Sequence, residues 1–253
     1  MFFKGIIEHK GMKMNLDSMR IVLVRPKFPE NLGAIARAMK NMGLHRLAIV
    51  NGCSPFHMNA YKLASGAEEI LERAEEHLTL EEALSEMGCV VGMTSREGKG
   101  RSPLLAPRAL AERLHPISEN NPIALVFGPE REGLMNEELS LCHLFVRISA
   151  APAFPSLNLA QAVMILCYEL SQPSLRVEGP LPLFAPFEHL ERMFEQMEKT
   201  LTGIGFLDSN HPEKMMRTLR RIFVKSQLDA REVQILRGIW SQVDWAIKNK
   251  VKG

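Results

Sequence analysis

Phe154-Pro-Ser-Leu-Asn-Leu-Ala-Gln-Ala-Val163 sets two small polar side chains, Ser156 and Asn158, at the head of an apolar run that continues to Leu170. The run is too long for a strand, and its apolar spacing predicts one helix over about 157–170. A helix start presents unpaired backbone N–H groups and the positive end of a dipole, so this joint is suited to meet a ligand. Two earlier segments have the same form: Asn31-Leu-Gly-Ala-Ile-Ala-Arg-Ala-Met-Lys40 and Val126-Phe-Gly-Pro-Glu-Arg-Glu-Gly-Leu134. Each puts Asn, Gly, Glu or Arg at the end of a strand or the start of a helix. Three such joints in one chain point to a single site.

Working outward, Arg20-Ile-Val-Leu-Val-Arg25 is a β-branched apolar run stopped by Pro26 and Pro29, the pattern of a buried strand. Further strands are predicted over 46–51, 89–93, 123–127 and 144–148. Between them Asn31 reads as the cap of a helix that runs to about Met42 and ends at Gly43. Other helices are expected over 60–75, 79–87 and 136–142. Fully apolar strands alternating with helices define an α/β domain with a mostly parallel sheet covered on both faces. Ligands bind such sheets beyond the carboxyl ends of the strands, where all three joints fall. The chain divides into an amino-terminal extension (1–18), the α/β domain (19–170), a Pro-rich linker (171–186) and a small all-helical extension (187–253). Helices are predicted in that extension over about 187–203, 212–227 and 229–249.

The composition is that of an ordinary globular protein, with 46% hydrophobic and 24% charged residues among 253. A net charge of +2 does not by itself mark a nucleic-acid binder; the clustering of charge has to decide. Cys53, Cys89, Cys142 and Cys167 form no C-x-x-C pair and read as free, mostly buried thiols, which favours a reducing cytoplasm. The first ten residues lack the apolar stretch of a signal peptide, and no run approaches the ~20 residues of a membrane span. No G-x-G-x-x-G follows a strand, no phosphate-binding P-loop is complete, and H-E-x-x-H and G-x-S-x-G are absent. The eight histidines show no metal-ligand spacing, so no metal is expected.

The candidate residues follow from these joints. Arg37 falls within the apolar face Ile35/Ala36/Met39 and Lys40 lies three residues on, so two cations share one side of a helix. Such a pair suits an anionic substrate such as a nucleic-acid backbone, and a solvated surface pair is the other reading. Gly33 allows tight packing of its helix on the sheet. Glu130 can accept from a ligand donor, and Arg131 can clamp a phosphate or close a local ion pair. In the extension, Lys214, Arg217, Arg221 and Lys225 recur at spacings of three, four and four, with Arg220 adjacent. Met216, Leu219, Ile222 and Phe223 form the other face. That stripe suits RNA phosphates, or is simply a solvated face.

The motifs Asn31-x-Gly-Ala-x-x-Arg37-Ala-Met-Lys, Phe127-Gly-x-Glu130-Arg131-x-Gly-Leu and Ser156-Leu-Asn-Leu-Ala resemble those of the SpoU/TrmH branch of the SPOUT RNA methyltransferases. The likeness runs from about Arg20 to Lys248. The tail, with Gly203-x-Gly-Phe and Asn210-His-Pro…Leu219-Arg-Arg, is most like that of the TrmJ group. Members of that group methylate the ribose 2′-oxygen of nucleotide 32 in the tRNA anticodon loop. The resemblance implies a deep trefoil knot in the carboxyl half of the α/β domain, a homodimer with a shared active site, and S-adenosylmethionine as cofactor. It implies that Met93, Thr94, Ser95, Gly128, Ile148, Pro155, Ser156 and Leu157 hold the cofactor. Arg37 would be the base or an orienting group, with Asn31, Glu130, Ser156 and Asn158 shaping the pocket. Lys40, Arg131 and the Lys214, Arg217, Arg221, Lys225 stripe would meet RNA. Methylation of another tRNA position or of ribosomal RNA, and a non-catalytic RNA-binding role, stay open. Arg25-Pro26 and Pro29-Glu30 depart from the small polar residues expected before Asn31, on the side that faces the substrate.

Overall fold

The computed structural model describes residues 14–95, 104–151, 153–154, 156–173, 183–208 and 210–250. Seven strands form one sheet: β1 (Met19–Val24), β2 (Arg46–Val50), β3 (Glu75–His77), β4 (Cys89–Met93), β5 (Leu104–Leu105), β6 (Ile123–Phe127) and β7 (Leu144–Val146). Their order is β3-β2-β1-β6-β4-β7-β5, and every neighbouring pair is parallel. The five expected strands are all present, β7 shorter than predicted. The two extra strands escape a periodicity reading because Glu75-Glu-His77 carries no apolar alternation and Leu104-Leu105 is two residues long.

Each central strand is buried on both faces, so its alternate residues feed two layers. Ile21 and Leu23 of β1 join Leu125 and Phe127 of β6 beneath one set of helices. These are α1 (Pro29–Asn41), α2 (Met58–Ala64), α3 (Glu68–Glu72), α5 (Pro107–Ser118) and α7 (Leu159–Ser171). Val22, Val24, Ala124 and Val126 face the other way, against α4 (Leu80–Leu84) and α6 (Asn136–Ser140). Each fully buried Ile, Leu or Phe contributes on the order of 1.5–3 kcal/mol, so these two layers carry most of the stabilisation.

Local differences from the sequence reading have physical causes. The helix expected over 60–75 is broken into α2 and α3 at Ser65-Gly66, where Gly66 takes φ +80°. The helix expected over 79–87 is only Leu80–Leu84, started by a capping box between Thr79 and Glu82. Helix α5 was not anticipated. Asn31 is not a cap: α1 begins at Pro29 after Phe28, which frees the Asn31 side chain for other bonds. Gly33 packs α1 against α2 rather than the sheet, since a Cβ there would lie 2.1 Å from the Ala60 carbonyl oxygen. At the amino terminus Met14 is buried in the core and the Asn15 N–H donates to Ser118 Oγ, so residues 14–18 pack on the body rather than forming a loose extension.

Beyond the sheet lie α8 (Phe187–Gly203), α9 (Pro212–Lys225) and α10 (Ala230–Lys250), close to the predicted spans. They enclose their own core of Leu190, Met193, Phe194, Met197, Met216 and Val233. The unit docks through Phe187, whose N–H donates to the Met87 carbonyl (2.8 Å) and whose ring is buried with the α4–α6 layer. The Phe184 N–H donates to Asn121 Oδ1 (2.6 Å). Met87 and Asn121 lie two residues before β4 and β6. The helical unit therefore sits at the amino ends of these strands, across the sheet from the predicted ligand edge. Most of the predicted linker, 174–182, lies outside the described residues. No helix among the described residues is long and apolar enough to cross a membrane.

Candidate active site

At the carboxyl edge the three joints converge. Asn158 caps α7: its Oδ1 accepts from the Ala160 N–H (2.8 Å), and Gln161 bonds back to the Asn158 N–H to complete a capping box. Its amide also reaches across the fold, with Nδ2 donating to Asn31 Oδ1 at 3.0 Å. Asn31 Nδ2 donates in turn to Glu130 Oε1 at 2.8 Å. The other carboxylate oxygen, Oε2, accepts the Lys27 backbone N–H at 3.3 Å. A continuous chain Asn158–Asn31–Glu130–Lys27 thus ties the starts of α7 and α1 to the loop after β6.

Glycine builds that loop. A Cβ on Gly128 would lie 2.3 Å from the Gly133 carbonyl carbon and the Leu134 nitrogen, so the segment folds back on itself only because residue 128 has no side chain. Gly133, at φ +64°, closes the turn by donating to the Pro129 carbonyl at 2.9 Å. Outside the loop, the Lys27 ammonium bonds Glu132 at 2.9 Å and holds that carboxyl below its usual range.

Beside the chain lies a cavity of about 370 Å³, within the size range of small-ligand sites. Met93 at the end of β4 with Thr94 and Ser95 after it, Gly128 and Glu130 from the β6 loop, Ile148 after β7, and Ser156 and Leu157 before α7 all line it. Every described residue expected to hold the cofactor therefore borders one cavity; Pro155 lies outside the described residues. Arg131 also lines it and is exposed. Thr94 is anchored by its backbone N–H to the Val146 carbonyl (3.0 Å), which fixes the β4 end against β7.

Arg37 is not brought to this cavity. It lies six residues after Asn31, about 240° further round the helix, on the exposed side of α1 and outside the apolar face where the spacing had put it. Lys40 is paired with Glu69 at 2.5 Å. Lys214, Arg217 and Arg221 are exposed on α9, remote from the cavity; Lys225 ends that helix. Arg220 turns the other way, ion-paired with Glu191 and stacked 4.6 Å over the Phe194 ring, so it is a packing residue. Ile222, expected on the packed face, is 54% exposed, while Met216 is buried. Sequence reasoning missed Lys27. Its contribution is a backbone N–H, which no side-chain pattern signals. Among the described residues no group of His, Cys, Asp and Glu could hold a metal ion.

A parallel sheet with a glycine-folded loop, a capped helix start and a cavity at its carboxyl edge forms the candidate site, and the chain that builds it is similar to proteins of known family. The profile of the SpoU rRNA Methylase family matches residues 18–168, and that of the tRNA methyltransferase TrmJ C-terminal domain matches 188–252. The tRNA (cytidine/uridine-2'-O-)-methyltransferase TrmJ of Salmonella typhimurium is 39% identical over 245 residues, covering 93% of this chain and all of the relative. The protein of the same name from Klebsiella pneumoniae is 39% identical, with the same coverage. The crystal structure of TrmJ from Z. mobilis superposes with a TM-score of 0.79 at 33% identity, covering 89% of this chain and 98% of that one. The chain belongs to the SpoU methylase family. Within that family its place is in the TrmJ group, which it matches over both the sheet domain and the helical unit.

Proposed function

We propose that this protein transfers a methyl group from S-adenosylmethionine to the ribose 2′-hydroxyl of a cytidine or uridine in tRNA, at position 32 of the anticodon loop. The observation that carries the reading is the Asn158–Asn31–Glu130 chain beside a cavity bordered by all the described cofactor-site candidates. The cavity suits a ligand that is part nucleoside and part amino acid. Its floor is apolar, from Phe127, Leu159 and Ala162, while backbone groups and the Ser95, Glu130 and Ser156 side chains supply polar contacts. S-adenosylmethionine, when bound, supplies an electrophilic methyl group on sulfonium.

The chain's own residues do the rest. Gly128 lets the loop after β6 fold back at the cavity's edge, and Met93, Thr94, Ile148 and Leu157 enclose the ligand. Glu130 has one lone-pair site on each oxygen committed to Asn31 and Lys27, which leaves the remaining sites to accept from a bound hydroxyl or amino group. A ribose hydroxyl is a weak nucleophile and must lose its proton as it attacks. Arg37 either takes that proton or orients the ribose and its phosphate. A guanidinium spreads its charge over three nitrogens and gives up a proton with difficulty, which favours the orienting role.

The exposed position of Arg37 fits a homodimer in which it completes the partner's cavity. Lys40, Arg131 and the α9 stripe then meet RNA phosphate. The insertion of β7 between β4 and β5 supports the trefoil knot, since the chain reaches that slot after both flanking strands are in place. In this reading residues 19–170 are the catalytic domain and 187–253 a tRNA-binding extension. Four free cysteines suit a cytoplasmic setting.

Mapping 2′-O-methyl groups in total tRNA incubated with the protein and labelled cofactor tests the substrate; label at position 32 is expected, and label confined to ribosomal RNA would overturn it. Arg37→Ala is expected to stay folded and dimeric, to bind S-adenosylmethionine by calorimetry and to lose methyl transfer. Near-normal turnover would remove Arg37 from the mechanism.

A further inference from the structure

We infer that a second cavity, at the carboxyl ends of β1 and β2, is a nucleobase subsite that takes an amino-bearing base of the RNA beside the nucleotide to be methylated. The inference rests on the functional reading above. The cavity measures about 250 Å³ and shares no lining residue with the cofactor-site cavity. Its polar lining is Arg25, Asn51, Thr79, Glu81, Glu137 and Glu138.

Two backbone features mark it. Arg25 and Asn51 are the first residues past β1 and β2, and both are left-handed, at φ 48° and 46°, a conformation rare for residues with side chains. They are held there by hydrogen bonds from the Arg25 N–H to the Val50 carbonyl (2.8 Å) and from the Asn51 N–H to the His77 carbonyl (2.9 Å). Strained strand-end residues of this kind cluster at ligand clamps.

The side chains keep spare hydrogen-bonding capacity: Thr79 Oγ1 accepts the Glu82 N–H as the α4 cap, which leaves its hydroxyl proton to donate. Arg25 Nη1 is ion-paired with Glu138, yet Nη2 is buried with no hydrogen-bond partner, an exception among buried donors. Leu78 is 81% exposed at the rim, an apolar ledge suited to the face of a flat ring. Once Arg25 is matched with Glu138, Glu81 and Glu137 leave the cavity net negative. That repels phosphate and favours a neutral ring that donates from an exocyclic amino group. Cytosine, adenine and guanine qualify; uracil does not. Asn51 and Thr79 can each donate to a ring nitrogen or carbonyl. Arg25 precedes by two residues Lys27, whose N–H holds Glu130, so a base seated here lies next to the reacting nucleotide. The subsite also gives a role to Arg25, one of the residues at which the sequence departs from the family pattern.

The test uses the full chain, S-adenosylmethionine and short hairpin RNAs carrying the anticodon loop, in which each loop nucleotide flanking position 32 is in turn cytidine, adenosine, uridine or abasic. In the unaltered protein, one position is expected at which uridine or an abasic site raises KM roughly tenfold over an amino-bearing base, at unchanged kcat and cofactor affinity. Asn51→Gly, which suits the left-handed backbone, and Glu81→Gln are expected to shrink that ratio to within about twofold while kcat holds. Indifference of KM to every flanking base in the unaltered protein, or an undiminished ratio in both variants, would overturn the subsite. If the unaltered protein binds S-adenosylmethionine but methylates none of the hairpins nor total tRNA, the functional reading falls and takes the subsite with it.

Discussion

Asn31 shows how one side chain gains its meaning from its neighbours. Its amide is nine-tenths buried, and both ends are used, Oδ1 toward Asn158 and Nδ2 toward Glu130. Removing it takes the partner from Glu130 Oε1 and from Asn158 Nδ2, while Asn158 Oδ1 keeps the Ala160 N–H, a loss of about 1–3 kcal/mol in the preorganisation of the site. Asn31→Ala is therefore expected to lower kcat/KM for tRNA by roughly 10- to 100-fold, with S-adenosylmethionine affinity changed less than threefold. Steady-state kinetics beside calorimetric titration of the cofactor checks both. The sequence showed that Asn31 belonged to a ligand-facing joint. It pointed to a cap because Asn before an apolar periodic run normally serves one, and Pro29 instead opened the helix two residues earlier.

Among the elements, α9 separates its two faces cleanly. Met216 is buried against α8, and Arg220 is fixed by Glu191 and Phe194, whereas Lys214, Arg217 and Arg221 are exposed. In tRNA the exposed cations would displace condensed counterions, so Arg217→Ala with Arg221→Ala is expected to weaken binding and to reduce the slope of log K against log salt by about one to two units. Filter binding across a salt series measures it; an unaltered slope would make the stripe a solvated face. The basic spacing was plain in the sequence, but the assignment of Arg220 was not. It lies one residue from the stripe in sequence, and only the position of α8 decides which way it points.

Over the whole molecule, the helical unit docks at the amino ends of β4 and β6, while the candidate site opens at the carboxyl ends. His143 stands at the docking seam, beside Gly88, Phe184 and Leu228. Its Nδ1 accepts the Val90 N–H at 2.9 Å, and burial pushes its pKa down to about 4. The unfolded chain binds that proton near pH 6.5, so from about pH 6.5 down to about 4 the unfolded state holds more protons than the native state. The stabilisation is fully present above about pH 6.5 and is lost as pH falls toward 4, a difference of about 3 kcal/mol. Thermal unfolding at pH 7.5 and 4.5 should show a lower Tm in acid, and His143→Gln should make that dependence shallower. An identical pH dependence in the variant would remove His143 as its source.

The sequence by itself determined the α/β class, five of the seven strands, the helical extension and the three ligand-facing joints. These follow from apolar periodicity and from Gly, Pro and Asn punctuation, which act within a few residues. Only the tertiary structure decided that Asn158 meets Asn31, 127 positions away, that Asn31 meets Glu130, 99 away, and that Arg25 reaches Glu138. It also placed β7 between β4 and β5, turned Arg37 outward and set the helical unit opposite the site. Such pairings depend on the order in which strands enter the sheet, and local propensity is the same for many orders. The sheet order is settled by which buried faces fit together across the folded chain.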